Sequence, residues 1–241
     1  LDYAILIFIE YKADIVCKSK RRMQMIKCII FDIDGTLIDT EFAVKKSLQR
    51  VLREELREEY SLDSLDFALG IPGLDTLKKL SIKDADRVVD NWNKYMGEYK
   101  DHVKVFDGIV DALRALKAKD IKMGIVTSKT REEFERDFRP YGLMEYVDEY
   151  VCADDTKKHK PNPDPLLKFL EVSGVSDTEA IYIGDTNYDC LSAKGANIKF
   201  ALALWGARNP DEVDADMKLE SPQDITKTLN DPSYIDNMEK I

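Results

Sequence analysis

Short apolar runs, each closed by a polar or turn residue, recur along most of this chain. Residues 26–31 run into Asp32, and comparable runs fall at Lys122–Val126, 149–152, 180–183 and 198–202. Near-continuous apolar runs of this length fit strands buried on both faces of a parallel sheet. Between them the apolar spacing changes to three and four. Ile109, Leu113 and Leu116 share a face after Asp107-Gly108, and Thr130 with Glu133 has the spacing of a capping box. Further helical patterns lie at 163–172 and 187–194. Strands alternating with helices predict an α/β fold with a doubly wound, Rossmann-like parallel sheet.

One stretch breaks the alternation. From 41 to 99 the periodicity is helical throughout, with Val44, Leu48, Val51 and Leu52 on one face and Val88, Val89, Trp92, Tyr95 and Met96 on another. Leu69-Gly70-Ile71-Pro72-Gly73 punctuates its middle. This reads as a small all-helical domain, 41–103, inserted into a core made of 25–40 and 104–241. Its chain leaves just after Thr36 and returns near Val103 and Val105, so the two crossings are expected side by side, as hinges. Residues 1–24 precede the first strand and read as an upstream extension, with Met25 a natural start.

Composition narrows the function. The 241 residues carry 36 basic and 46 acidic side chains, a formal charge of −10, which argues against nucleic-acid or anionic-membrane partners. With His102 and His159 as the only histidines, zinc sites built from several histidines are excluded, and a metal here would be a hard, oxygen-ligated one. Cys17, Cys28, Cys152 and Cys190 form no C-x-x-C pair and read as reduced, cytoplasmic thiols. The apolar run at 1–9 is too short to span a bilayer, and its basic cluster follows rather than precedes it, unlike a signal peptide.

Four polar features sit at predicted strand ends, where open parallel sheets place their sites. Asp32-Ile33-Asp34-Gly35-Thr36 presents two carboxylates and a turn. It is not a calcium loop, since Asp39 and Glu41 miss the required spacing. Thr127-Ser128-Lys129 offers hydroxyls and backbone N–H groups suited to phosphate oxygens. Lys160 opens a proline-rich approach to a helix, and Gly184-Asp185-Thr186-Asn187-Tyr188-Asp189 adds two further acids. Crowded carboxylates repel one another, and a divalent cation or a lysine relieves that repulsion.

In this order and combination the four features resemble the haloacid dehalogenase superfamily, in particular its phosphoglycolate-phosphatase-like members with a helical cap. The resemblance runs from Ile26 to about Leu229 and includes Trp205-Gly206. It implies a Mg2+-dependent phosphatase acting on a small phosphorylated metabolite, as a monomer or homodimer. Asp32 takes the nucleophile position and Asp34 that of the general acid and base. Gly35, Thr127, Ser128 and Lys160 serve the phosphate, with Lys160 also catalytic. Asp32, the Asp34 carbonyl and Asp185 hold the metal, and Asp189 supports it from close by; Lys129 is expected farther out. The acid at position 34 disfavours dehalogenation and phosphonate hydrolysis. Thr36 favours hydrolysis over a sugar-phosphate mutase, which tends to carry valine there. A non-enzymatic phospho-acceptor of the receiver type is disfavoured by the contiguous Asp-x-Asp-Gly-Thr and the inserted helices.

Overall fold

The computed structural model describes residues 26–230, so the expectation for residues 1–24 lies outside the described residues. A six-stranded sheet in the order β5-β4-β1-β6-β7-β8 forms the centre, every neighbouring pair parallel. Its strands are β1 (Cys28–Phe31), β4 (Lys122–Val126), β5 (Glu149–Val151), β6 (Ala180–Gly184), β7 (Lys199–Ala203) and β8 (Met217–Leu219). The chain builds outward from β1 to β4 and β5, then returns to lay β6, β7 and β8 on the other side. That reversal makes the edge between β1 and β6 the switch point, where such sheets leave a crevice.

Side-chain alternation divides β1 between two cores. Ile29 and Phe31 pack with Leu113, Leu116, Phe134 and Phe138 on one face. Cys28 and Ile30 pack with Leu166, Phe169, Cys190 and Ala193 on the other. Both faces are therefore dry, which is why these strands read as unbroken apolar runs. The covering helices are α4 (Ile109–Lys117), α5 (Arg131–Asp137), α6 (Asp164–Ser173), α7 (Asn187–Gly195) and α8 (Pro222–Asn230). The capping box at Thr130 and Glu133 is formed, and Thr186 and Asp189 make a second at the start of α7.

The stretch after β1 is helical, with α1 (Glu41–Leu56), α2 (Gly73–Lys79) and α3 (Ala85–Glu98) joined by a 3-10 turn at Asp63–Ala68. These elements bury their own core of Leu48, Val51, Leu52, Leu65, Leu77, Val88 and Trp92. Trp92 Nε1 donates to Ser47 Oγ at 2.8 Å, tying α3 to α1. The block leaves and returns through a two-stranded antiparallel ribbon, β2 (Ile38–Asp39) on β3 (Lys104–Val105). The two crossings are thus hydrogen-bonded neighbours. Neither ribbon strand was expected from the sequence, and nor was β8.

Candidate active site

The ends of β1, β4 and β6 lie together because Phe31 is in register with both Ile125 and Ile183. Asp32, one residue past that register, and Thr127 and Asp185, two residues past it, therefore emerge along one edge. Asp32 is 2% exposed, and its N–H donates to Ile183 O at 2.8 Å. Gly35 turns the chain at φ 75°, and a Cβ there would lie 2.1 Å from Asp185 Oδ2. Only glycine leaves Asp185 room. Thr36 Oγ1 donates to Asp185 Oδ1 at 3.3 Å. Trp205 Nε1 donates to Thr36 O at 2.9 Å, and a Cβ on Gly206 would strike Gly35 O, so this Trp-Gly pair buttresses the loop after β1.

Lys160 lies beneath the carboxylates, with Nζ 2.9 Å from Asp32 Oδ1 and 2.7 Å from Asp189 Oδ1. Asp189 is fully buried and its oxygens are heavily used. Oδ1 accepts from Lys160 and from the Tyr182 hydroxyl at 2.9 Å, and Oδ2 accepts from Thr186 N at 3.1 Å and Oγ1 at 2.5 Å. Asp189 thereby anchors Lys160 to the start of α7. Tyr182 was not anticipated: within an apolar strand it reads as a core residue, yet its hydroxyl contacts both Lys160 and Asp189.

Burial governs the ionisation here. It pushes Asp32 up to about 7; Lys160 opposes the shift, while Asp189 and Asp34 add to it. Asp185 is raised well above the usual carboxylate range by burial, then by Asp189 and Asp32. Burial alone would lower Lys160, but Asp189 and Asp32 outweigh it and hold the ammonium above its ordinary value.

Asp34 points into the cleft, with Lys129 Nζ 3.0 Å from its Oδ1. The expectation that Lys129 lies farther out is corrected: it is 8% exposed and pairs directly with Asp34. The turn after β4 brings its side chain back over the β1 end. Thr127 is buried, and its Oγ1 accepts from Lys129 N at 3.2 Å. Ser128 reaches the helical block, donating to Gly70 O at 2.9 Å. The block roofs the cleft with Val44, Ile71, Trp92, Asn93 and Met96. Further contacts tie block to core, including His159 Nδ1 with Asp75 Oδ2 at 2.8 Å and Lys79 Nζ with Tyr188 OH at 3.0 Å.

The donor set suits a hard divalent cation. Carboxylate oxygens of Asp32, Asp185 and Asp189 all lie within 4.8 Å of one another in a buried cradle that a Cβ at Gly35 would fill. A second group of possible ligands, Cys152, Asp154 and Asp155, is bound up with Arg131 and backbone N–H groups. Cys28, Cys152 and Cys190 are free and buried. Among the described residues no helix is long and apolar enough to cross a membrane.

A buried acidic cluster at the switch point of a parallel sheet, roofed by inserted helices, defines a hydrolase-type site. The family model for haloacid dehalogenase-like hydrolase matches residues 29–203. A phosphoglycolate phosphatase from Aquifex aeolicus is 33% identical over 207 residues, 85% of this chain and 97% of that one. A pyrophosphatase PpaX from Halalkalibacterium halodurans is 30% identical over 204 residues, 83% of this chain and 95% of that one. A solved structure from Lactobacillus plantarum superposes with a TM-score of 0.77 at 30% identity, covering 84% of this chain and 99% of that one. The chain belongs to the haloacid dehalogenase-like hydrolases, and within that family it is a phosphatase.

Proposed function

We propose that this phosphatase hydrolyses a small phosphorylated metabolite through an aspartyl-phosphate intermediate, with Asp32 as the nucleophile. The observation that carries the reading is the convergence of Asp32, Asp185 and Lys160 at the strand edge, with Asp34 facing the cleft above them. An Asp32 carboxylate oxygen attacks phosphorus while the ester oxygen departs with a proton from Asp34. Asp34 then takes a proton from the water that attacks the phosphorus of the acyl phosphate. Inorganic phosphate leaves and Asp32 is restored.

Lys160 supplies positive charge beside Asp32, where charge gathers on the phosphoryl oxygens. Thr127 and Ser128, with Gly35 at the facing turn, bound the phosphoryl pocket. Mg2+ fits the site: Asp32, Asp185 and the Asp34 carbonyl would hold it, with Asp189 behind them, and when bound it neutralises phosphate charge. The relatives' names, a phosphoglycolate phosphatase and a pyrophosphatase, support a small phosphorylated substrate. The helical block, 41–103, serves as a lid over the site, closing on the β2–β3 hinge and excluding water.

The test is turnover of p-nitrophenyl phosphate with and without Mg2+, by the parent and by Asp32→Asn. Mg2+-dependent release that falls to background in Asp32→Asn supports the reading; parental turnover in Asp32→Asn overturns it.

A further inference from the structure

The cleft is poor in free positive charge. Among the described residues its walls carry Glu41, Glu133 and Asp137 beyond the acids at its base, and one cation, Lys129. That cation is committed to Asp34 at 3.0 Å, with Glu133 and Asp137 also near it. The basic groups just behind the walls are committed too. Arg136 holds Asp137 through Nε and Nη2, each at 2.7 Å. Lys45 bonds Glu41 at 2.9 Å and Asp66 at 2.5 Å, and Arg208 also bonds Glu41.

A substrate brings its phosphate to the base of the cleft, and its leaving alcohol must lie against the helical roof. A carboxylate or second phosphate on that alcohol would meet excess negative charge and would have to break an existing ion pair to find a partner. An uncharged alcohol meets no such obstacle. Trp92 is held by Ser47 and, with Val44, Ile71 and Met96, offers apolar surface. Asn93 is the neutral polar side chain that α3 adds beside them; its Oδ1 accepts from Arg136 Nη2 at 3.4 Å, and its amide N–H groups suit a hydroxyl.

Building on the phosphatase reading of this cleft, we infer that it selects phosphate monoesters whose leaving alcohol is uncharged, and rejects substrates whose leaving group carries a carboxylate or is itself a phosphate. Selectivity therefore differs from that named for the relatives above.

The experiment compares kcat/KM for 2-hydroxyethyl phosphate with that for 2-phosphoglycolate, a pair differing in one terminal group, and adds inorganic pyrophosphate. p-Nitrophenyl phosphate is run on the same preparation. The neutral ester should lead both anionic substrates by at least about tenfold. The lead should narrow as ionic strength rises, because salt screens the repulsion. Met96→Lys, which adds a cation to the roof, should also narrow it, and Met96→Leu should leave the ratio where it was. If p-nitrophenyl phosphate is hydrolysed but 2-phosphoglycolate or pyrophosphate matches the neutral ester, the inference is overturned and the phosphatase reading stands. If none of the four is hydrolysed, the underlying reading falls, and the inference with it.

Discussion

Asp32 and Asp34 stand two residues apart and live in different media. Asp32 is sealed among Lys160, Asp189 and Asp185, whereas the Asp34 side chain is 23% exposed at the cleft and faces Lys129. That difference suits a fixed nucleophile beside a proton carrier that must reach both leaving group and water. Asp34→Asn should cost roughly 10²–10⁴-fold on an alkyl phosphate. It should cost much less on p-nitrophenyl phosphate, whose leaving group needs little protonation. Equal losses, read from kcat/KM on the two esters, would assign Asp34 to folding or metal binding. Asp32 contributes to the pH dependence of the metal-free protein. Its folded pKa, about 7, lies above the unfolded value of about 4, so in this window the unfolded chain has lost a proton that the folded chain keeps. Stability from this group is therefore highest at the acid end and falls as pH rises. Thermal melts in EDTA should show that decline, and Asp32→Asn should reduce it, with Asp185, which burial also raises, carrying the remainder. The acids were legible because each lies just after an apolar run, and Lys160 because it opens a proline-rich approach to a helix. Tyr182 and the pairing of Lys129 were not, since the contacts that define them join distant parts of the chain, with Tyr182 reaching Val126 O on β4 and Lys160, and Lys129 reaching Asp34.

The elements were legible in proportion to their length. Strands with four or five buried residues, such as β1, β4, β6 and β7, carry enough apolar positions to announce themselves. The ribbon strands have two residues each, and β8 has three with Lys218 exposed at its centre. No periodicity survives at that length; pairing partners alone define them. Packing between elements is equally specific. A Cβ on Gly124 of β4 would lie 2.1 Å from the Phe169 ring of α6, whereas a Cβ on Gly97 of α3 would meet nothing within 4 Å. Gly124→Ala should lose about 1–3 kcal/mol through overpacking. Gly97→Ala should gain about 0.5–1 kcal/mol, because alanine restricts the unfolded chain without a clash. Denaturant melts of the two variants check both signs.

For the whole molecule, the five strands of the central sheet other than β8, the helices on both faces and the inserted block follow from the sequence pattern. The seating of the block on the core does not. It rests on single polar contacts made by residues far apart in the chain, among them Ser128 with Gly70, His159 with Asp75, Lys79 with Tyr188 and Arg208 with Glu41. Gly70 is the tightest of these points: it turns at φ 81°, and a Cβ there would lie 2.8 Å from Thr186 Oγ1. Gly70→Ala should hold the block away from Thr186, lowering kcat/KM on every substrate by a common factor. Metabolite esters and p-nitrophenyl phosphate, assayed side by side, check this; losses confined to one substrate would make Gly70 a specificity contact instead.

The proposed reaction requires a covalent phosphoryl group carried by Asp32. The most direct measurement is a rapid acid quench during turnover, followed by borohydride reduction and peptide mass spectrometry. Homoserine is expected at position 32, dependent on substrate and absent from Asp32→Asn. Homoserine at another aspartate, or active enzyme whose Asp32 peptide stays unmodified throughout turnover, would contradict it.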